Sequence, residues 1–470
     1  MNLLVRLPSV IERYAPYFKD LFSAEGYIHF CRFLSGLLVG DNKTIEGINR
    51  LFVVDQRNQS SLNRFVNRSN FDRKELTLRR VKLMQECEQT RFKSSREECG
   101  VLCLDDSLMS HYGKHFDNIY WFWDHVDKRY TFAHNLVNLH YSDDQTDYPI
   151  DDELWIPADW DAVALKMKSL GIHINEAKWE SRKEDTQKWR SYVKDRYGDY
   201  QYKEPGLGSV YKSKFLIALE LLRRFKQQFP EHKLPLAMDG GYTSAAFCKI
   251  VSEDLKIDYV GGLIDSQCVI LTGSEKITLA QFKDRLLNEH RKGEAKFYKT
   301  TVHYKNQKET YYAYCASHHI QGYPKQRLVI SYQKEDFSDI PRYSICNRTN
   351  WHASGILRIR RHRWPIETYY QEGKAEGLDK YQLRNIEAIK THIAFVSIAF
   401  TMLKRAVHDP ELMSMFRQQL QTGPDGTLPF IRRLLQLEGL MFLIEYVQLN
   451  LNKGDSIETI CRHLMPPAVY

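Results

Sequence analysis

Two short apolar runs that each end in aspartate constrain the fold of this 470-residue chain more than any other feature. They are "CGVLCLDDS" from Cys99 and "KLPLAMDGGY" from Lys233, and both have the length and composition of buried strands. An amphipathic helix, "SKFLIALELLRRFKQQF" from Ser213, lies between them. Acids at the carboxyl ends of strands in an α/β sheet lie where ligands bind. The sequence therefore predicts an α/β core with a functional acidic edge.

The N-terminal region is predicted to be helical. "SAEGYIHFCRFLSGLLVG" and "SLNRFVNRSNFDRKELTLRRVKLMQEC" place apolar residues at three- and four-residue steps. Two interpretations fit the cations of the second stretch: a solvated helix face, or a DNA-binding surface that contacts phosphates. These cations are Arg64, Arg68, Arg73, Lys74, Arg79, Arg80 and Lys82.

Further strands are predicted on both sides of the second aspartate. "NIYWFWDHV" from Asn118 and "YTFAHNLVNLHYS" from Tyr130 would form a meander with the first strand, whereas the acids of "DDELW" from Asp151 resemble a surface turn. Residues 265–345 contain Tyr-, Thr- and Val-rich runs separated by polar turns, which indicates an antiparallel β insertion. From about residue 350 the chain is predicted to be helical.

Composition excludes several classes of protein. The net charge of +8 permits a nucleic-acid partner without requiring one. The nine cysteines contain no CxxC pair, which argues against a zinc knuckle or a disulfide framework. The longest apolar segment, "HIAFVSIAFTML" from His392, is too short to span a bilayer and is expected to be a buried helix. No signal peptide is expected, and we predict a cytoplasmic, nucleoid-associated protein without a membrane partner.

Three acids are the candidate catalytic residues: Asp105 (or its neighbour Asp106), Asp239 and Glu367. Carboxylates are the ligands that Mg²⁺ prefers, and a pair of such ions can activate a hydroxyl and stabilise the leaving oxygen of a phosphodiester. Each aspartate alone is equally compatible with a cap or a turn.

The stretch "RRHRWPIETYYQEGK", residues 360–374, strengthens this interpretation. Arg363 precedes Glu367 by four residues, and Lys374 follows it by seven. Pro365 suits the first turn of a helix, on which positions seven apart share a face. A carboxylate flanked in this way is suited to holding a metal while the cations bind substrate phosphates.

The spacing Arg-x3-Glu-x6-Lys resembles the Tyr-Arg-Glu-Lys signature of prokaryotic insertion-sequence transposases of the DDE type. "CLDDS" and "AMDGGY" resemble the two aspartate blocks of that family. Further segments that resemble the family are "NKTIEGINRLF", "NQSSLNRFVNRSNFDRKEL", "HYGKH" and "EGLDKYQLRNIEAIKTHIAF", so the resemblance covers roughly residues 40–405.

The resemblance implies a ribonuclease H-like mixed sheet core with a β-rich insertion, plus helical N-terminal and C-terminal regions. It implies that Asp105, Asp239 and Glu367 bind Mg²⁺, with Mn²⁺ as a possible substitute. Asp105 is preferred to Asp106 because the family's first block reads Asp-x-Ser/Thr and because strand alternation turns the two to opposite faces.

The remaining residues near Glu367 have less certain roles. The resemblance assigns Arg363 and Lys374 to DNA phosphates. The signature's Tyr falls on Arg360, which is either a further phosphate contact or part of the basic edge. Trp351 and Trp364 either stack on a flipped base or pack the helix against the sheet.

The expected function is that of a DNA transposase. A homodimer would bind the terminal inverted repeats of its element, cut the ends and join the 3′-hydroxyl to target DNA. The alternatives are a catalytically inactive DNA-binding descendant, or a glycosidase-like hydrolase using Asp105 and Glu367. The predicted regions are a DNA-binding domain (1–98), the core (99–264), the insertion (265–345), the end of the core with Glu367 (346–410) and a C-terminal helical region (411–470).

Overall fold

The computed structural model describes residues 2–68, 71–94, 98–125, 127–182, 210–294, 296–420 and 427–465, with isolated residues between 185 and 208. The strands are β1 (Val101–His111), β2 (Tyr120–Asp124), β3 (Arg129–Ser142), β4 (Asp147–Trp155), β5 (Leu236–Met238), β6 (Tyr259–Leu263), β7 (Cys268–Ile270), β8 (Lys276–Thr278), β9 (Tyr298–Tyr304), β10 (Gln307–Ile320), β11 (Lys325–Tyr332) and β12 (Arg342–Cys346).

Helices precede, interrupt and follow these strands. They are α1 (Ser9–Tyr14), α2 (Ala24–Val39), α3 (Ile45–Leu51), α4 (Gln59–Arg68), α5 (Arg73–Gln85), α6 (Trp160–Ser169), α7 (Glu176–Arg182), α8 (Lys214–Gln228), α9 (Ala245–Lys249), α10 (Leu279–Arg291), α11 (Ala353–Arg361), α12 (Trp364–Ala375), α13 (Ile386–Val407), α14 (Pro410–Leu420), α15 (Leu428–Asn452) and α16 (Ile457–His463).

The twelve strands of the described residues form one mixed sheet, in the order β2-β3-β1-β5-β6-β12-β11-β10-β7-β8, with β4 beside β3 and β9 beside β10. The strands β1, β5 and β6 are parallel, and β3 is antiparallel to β1. This confirms the predicted mixed α/β class. The predicted meander is wrong in its order, because the long strand β3 lies between β1 and β2 and pairs with both.

The β-rich segment extends the central sheet. Strand β12 returns antiparallel to β6, with Tyr343 opposite Leu263, and β11 and β10 continue outward from it. Helix α10 interrupts this segment and begins with a capping box between Thr278 and Gln281. The β-rich segment is therefore held to the parallel strands by backbone hydrogen bonds between β12 and β6.

Alternation along β1 supplies two hydrophobic cores, one on each face of the sheet. Val101 and Cys103 are fully buried in a core shared with α2, α12 and α13. Leu102 and Leu104 point the other way, into a core shared with α8 and α9. The same alternation continues along β1, so Asp105 and Asp106 face opposite sides of the sheet.

Helix α13 is the centre of the first core. The rings of Phe30 and Phe65, from α2 and α4, lie 5.4 and 5.8 Å from the ring of Phe395. The helix is long and apolar enough to cross a membrane, but 83% of its most apolar window is buried inside the protein. This agrees with the predicted buried helix and shows that the N-terminal helices share a core with α13.

Candidate active site

Asp105 lies in the middle of β1 on the face that carries α12. Its Oδ2 accepts a hydrogen bond from Arg363 Nη1 at 2.7 Å, and its side chain is 17% exposed. The Tyr370 hydroxyl, one turn beyond Glu367 on α12, donates to the Asp105 carbonyl oxygen at 3.0 Å. Strand β1 and helix α12 are thus tied together at this residue.

Asp106 faces the opposite core and is fully engaged there. Its Oδ2 accepts from Asn135 Nδ2 at 2.8 Å and from Lys214 Nζ at 2.6 Å, and its Oδ1 accepts from the Tyr242 hydroxyl at 2.9 Å. These contacts fasten β1 to β3, to α8 and to the turn after β5. The arrangement is that of a structural carboxylate.

Asp239 follows β5, which lies beside β1. The parallel register pairs Leu104 with Met238, so the next residue of each strand, Asp105 and Asp239, lies at the same edge of the sheet. The backbone N–H of Tyr242 donates to Asp239 Oδ1 at 3.1 Å, which orients the carboxylate within the turn. The two acids are therefore neighbours, but the prediction that Asp105 ends its strand is wrong, because β1 continues to His111 along its antiparallel partner β3.

Glu367 approaches from the first turn of α12. Arg363, at the N-cap, donates Nη2 to Glu367 Oε1 and Nη1 to Asp105 Oδ2, so one guanidinium joins both carboxylates. Pro365 lies within the first turn, as its fixed φ allows. We call Asp105, Asp239, Glu367 and Arg363 the acidic site.

The electrostatics of the acidic site reflect crowded negative charge in a buried setting. Burial raises the pKa of Asp105 to about 7; the charge of Arg363 opposes the rise and that of Asp239 adds to it. Burial alone would lower the pKa of Arg363, but the charges of Asp105, Glu367 and Asp239 raise it. Three carboxylates thus act on one guanidinium.

The basic residues before Glu367 differ in their surroundings: some lie near the acids, and the others pair elsewhere. Arg360 lies beside Gly262 of β6, where an added Cβ would come within 3.0 Å of Arg360 Nη1. Burial and the nearby arginines lower the pKa of Arg360 to about 10, while Asp239 raises it. In contrast, Arg361 pairs with Glu309 at 2.9 Å, and the buried His362 lies against Asp144. Only the first and last cations of "RRHR" therefore lie near the acids.

Lys374 and the two tryptophans flank Glu367 in the sequence and have different surroundings in the structure. Lys374 occupies the last turn of α12, partly exposed, and its charge acts on Asp379. Trp351 is partly buried against the first core, whereas the Trp364 side chain is 51% exposed at the start of α12. Trp351 thus packs, and Trp364 remains accessible.

Several residues that contact the acids were only weakly indicated by the sequence. Tyr370 is three residues after Glu367 and so shares its helix face, a spacing that "ETYYQ" contains. Lys214 and Tyr242 are brought to Asp106 only by the fold. The acids of "DDELW" are not a surface turn: they lie in β4, where Asp151 pairs with Arg224 at 2.7 Å.

The acidic site suits a hard divalent cation by its donor chemistry, because it brings carboxylate oxygens together. In the described residues no three His, Cys, Asp or Glu side chains are already grouped around a common point. The guanidinium of Arg363 lies between Asp105 and Glu367 and pairs with both. The carboxylate charge that Arg363 balances is the charge that a divalent cation would bind.

Comparison with family models identifies the class of protein that carries this fold and this site. The sequence matches the model described as DDE superfamily endonuclease over residues 30–278, just over half of the chain. The chain therefore belongs to the DDE superfamily endonucleases. It also matches the model described as Transposase DDE domain over residues 200–402. No curated protein matches the sequence. The family indicates a transposase or endonuclease that acts on DNA, in a superfamily that typically uses divalent metals.

Proposed function

We propose that the chain is an insertion-sequence transposase with a Tyr-Arg-Glu-Lys-type signature, which cleaves transposon ends and transfers the 3′-hydroxyl into target DNA. The observation that carries the proposal is the convergence of Asp105, Asp239 and Glu367, from three separate elements, on Arg363. Such a cluster at the carboxyl edge of parallel strands is suited to metal-assisted phosphoryl transfer.

A ribonuclease H-like core is part of the proposal. Its support is the strand order β4-β3-β1-β5-β6, in which an antiparallel pair joins a parallel set and β1 is central. The first acid lies on the central strand and the second on its parallel neighbour. Strands β7–β12 would then be the insertion that separates the second acid from the third.

Each side chain of the acidic site has a distinct proposed role. Asp105, Asp239 and Glu367 would hold Mg²⁺ or Mn²⁺, which supplies activation of a hydroxyl and stabilisation of the leaving oxygen. Arg363 neutralises the acids and is free to bind a substrate phosphate bidentately once the acids have another counter-charge. Arg360 and Lys374 add phosphate contacts on either side, and Tyr370 keeps β1 and α12 in register.

The partners and location follow from the same proposal. The substrates are double-stranded DNA carrying the terminal inverted repeats, and target DNA. Two ends must be joined in one event, so the working form is a homodimer on DNA. The protein acts in the cytoplasm, on the nucleoid.

Glu367→Gln tests the proposal. A duplex from the DNA flanking the reading frame is incubated with the protein and Mg²⁺, and nicking and strand transfer are followed on gels. We expect the variant to lose cleavage by at least about a hundredfold, since one ligand of the reacting centre is gone, while it still binds the duplex. Glu372→Gln, on another face of α12 near Lys404, is the matched control and should cleave normally.

Two outcomes would reject the proposal. Wild-type protein that binds the duplex without cleaving it would indicate an inactive DNA-binding descendant. Cleavage that persists in Glu367→Gln or in EDTA would remove the assignment of the acidic site.

A further inference from the structure

A polar groove lies between α4 and the segment Gln382–Asn385, away from the acids. Its volume is about 710 Å³, and α3 closes one end. The apolar side chains of its lining are Ile45 and Leu383, and Leu383 is buried. A groove of this polarity does not suit an apolar protein partner.

Helix α4 presents two parallel rows of side chains to this groove. Its apolar residues, Leu62, Phe65 and Val66, are buried against the first core. Positions four apart on the remaining face lie in line along the axis. We call Gln59, Asn63 and Asn67 the amide row; Arg64 and Arg68 form the adjacent row.

The cations of the groove lack carboxylate partners. Arg64, Arg68 and Arg384, which we call the arginine set, line the groove and form no salt bridge within the described parts of the chain, while Asn67 Nδ2 donates to Asn63 Oδ1 at 2.9 Å, a surface bond that a base would have to replace. The one carboxylate of the lining, Glu46, is paired with Arg50. Other cations of the same region already have carboxylate partners, since Arg73 pairs with Glu387 and Arg79 with Asp20. Uncompensated positive charge concentrated here favours an anionic partner.

The opposite wall is fixed to the sheet that carries Asp105. The Asp117 N–H donates to the Arg384 carbonyl at 2.8 Å, and Asp117 Oδ2 accepts from the Ile386 N–H at 3.2 Å. The Tyr381 hydroxyl hydrogen-bonds His134 Nδ1 of β3 at 2.6 Å. Only residues 376–381 separate this wall from the end of α12, so the groove and the acidic site share a rigid support.

We propose that this groove recognises the sequence of a DNA duplex at the transposon end. Helix α4, about 15 Å long at 1.5 Å per residue, enters the major groove. The amide row bonds base edges, because Asn and Gln pair bidentately with adenine N6 and N7. The arginine set binds the flanking phosphates. This inference rests on the proposed function and assigns the residues that select its substrate.

The test uses full-length protein carrying Glu367→Gln, so that binding is measured without cleavage. The probes are a duplex from the DNA immediately outside the reading frame and a shuffled duplex of equal composition. Asn63→Ala should weaken binding to the first by about 5- to 150-fold and leave the second unchanged. Arg64→Ala and Arg384→Ala should weaken both and reduce the salt dependence by about one counterion each. Lys453→Ala, an exposed cation just after α15 and outside the N-terminal helices, is the control and should change neither.

A modified probe identifies the base contact directly. Replacing adenines of the end duplex with 7-deazaadenine removes the N7 acceptor, which should weaken wild-type binding at one or more positions but cause no further loss with Asn63→Ala. The melting temperatures of the Asn63 and Arg64 variants should match that of the parent protein, because both side chains are exposed. This comparison separates a loss of binding from misfolding.

The outcomes distinguish this inference from the proposed function. If the protein binds the end duplex but the groove variants bind it equally well, the groove assignment fails and the transposase proposal stands. Equal weakening of both duplexes by Asn63→Ala would reject base recognition. Failure to bind either duplex would reject both.

Discussion

Arg363 Nη1 lies 2.7 Å from Asp105 Oδ2, and the same guanidinium also bonds Glu367. A side chain predicted to bind DNA phosphate is thus an internal counter-ion for two of the acids. The arginine holds β1 and α12 at a fixed separation before any substrate arrives. Release of this guanidinium would couple metal binding to phosphate binding.

Arg363→Ala should make the acidic site more responsive to divalent cations. Without the guanidinium, three carboxylates face one another, and the free energy of unfolding in EDTA should fall by roughly 3 kcal/mol. Adding Mn²⁺ or Mg²⁺ should then raise the melting temperature more than it does in the wild type, because the cation replaces the lost charge. Equal shifts in the two proteins would contradict competition between Arg363 and the metal.

Substitution of the two adjacent aspartates should have opposite consequences. Asp105→Asn should abolish cleavage and change the free energy of unfolding by less than about 1 kcal/mol, because Asp105 is buried where its charge is disfavoured. Asp106→Ala removes an acceptor shared by Asn135, Lys214 and Tyr242, and should cost about 2–3 kcal/mol. Urea unfolding and gel-based cleavage on both variants measure the contrast. A stable Asp106→Ala variant would refute the structural role.

Neighbouring arginines of α5 should differ greatly in their contribution to stability. Arg80 is 1% exposed, and its guanidinium donates to the carbonyls of Pro149 and Ile150 and to Thr401. Arg80→Ala should lower the free energy of unfolding by about 3 kcal/mol or more, since buried acceptors lose their donor. Arg79→Ala breaks ion pairs with the partly or fully exposed Asp20 and Glu75 and one bond to the Tyr17 carbonyl, and should cost far less. Comparable losses in urea unfolding would count against this description.

The charge of Asp147 should make the free energy of unfolding depend on pH in the acidic range. Burial alone would raise its pKa, but Lys404, His140 and Lys305 hold the pKa well below its usual range. A depressed folded-state pKa stabilises the fold above the unfolded value, about 3.9, and this contribution is lost as pH falls further. Asp147→Asn should therefore cost about 3 kcal/mol near neutral pH, with a difference from wild type that shrinks below about pH 4. Urea unfolding across this range is the measurement; a constant difference would exclude the linkage.

Much of the acidic site could be predicted from the order of residue types. Apolar runs long enough for one buried strand, each followed by Asp, place Asp105 and Asp239 side by side once the strands are parallel. Pro365 and the four-residue step from Arg363 to Glu367 set the start of α12 and the pairing across its first turn. These features involve residues close together in the sequence, so they can be recognised without knowledge of the fold.

The partners of charged side chains could not be predicted in this way. Seven cations between residues 64 and 82 look alike in sequence, yet Arg80 is buried, Arg79 is paired and Arg64 faces a groove. Their partners come from positions far along the chain, and only packing brings those positions together. The same reason explains why the "DDELW" acids lie in a strand.

The sequence by itself determined the α/β class, the two buried runs that carry Asp105 and Asp239, and the helix that begins near Glu367, because hydrophobic period, turn chemistry and proline act over a few residues. Only the tertiary structure decided that β3 lies between β1 and β2 and that Asp106 faces α8. It also decided that Arg363 joins Asp105 to Glu367. These relations depend on which distant surfaces bury one another, and that choice is made by the whole chain.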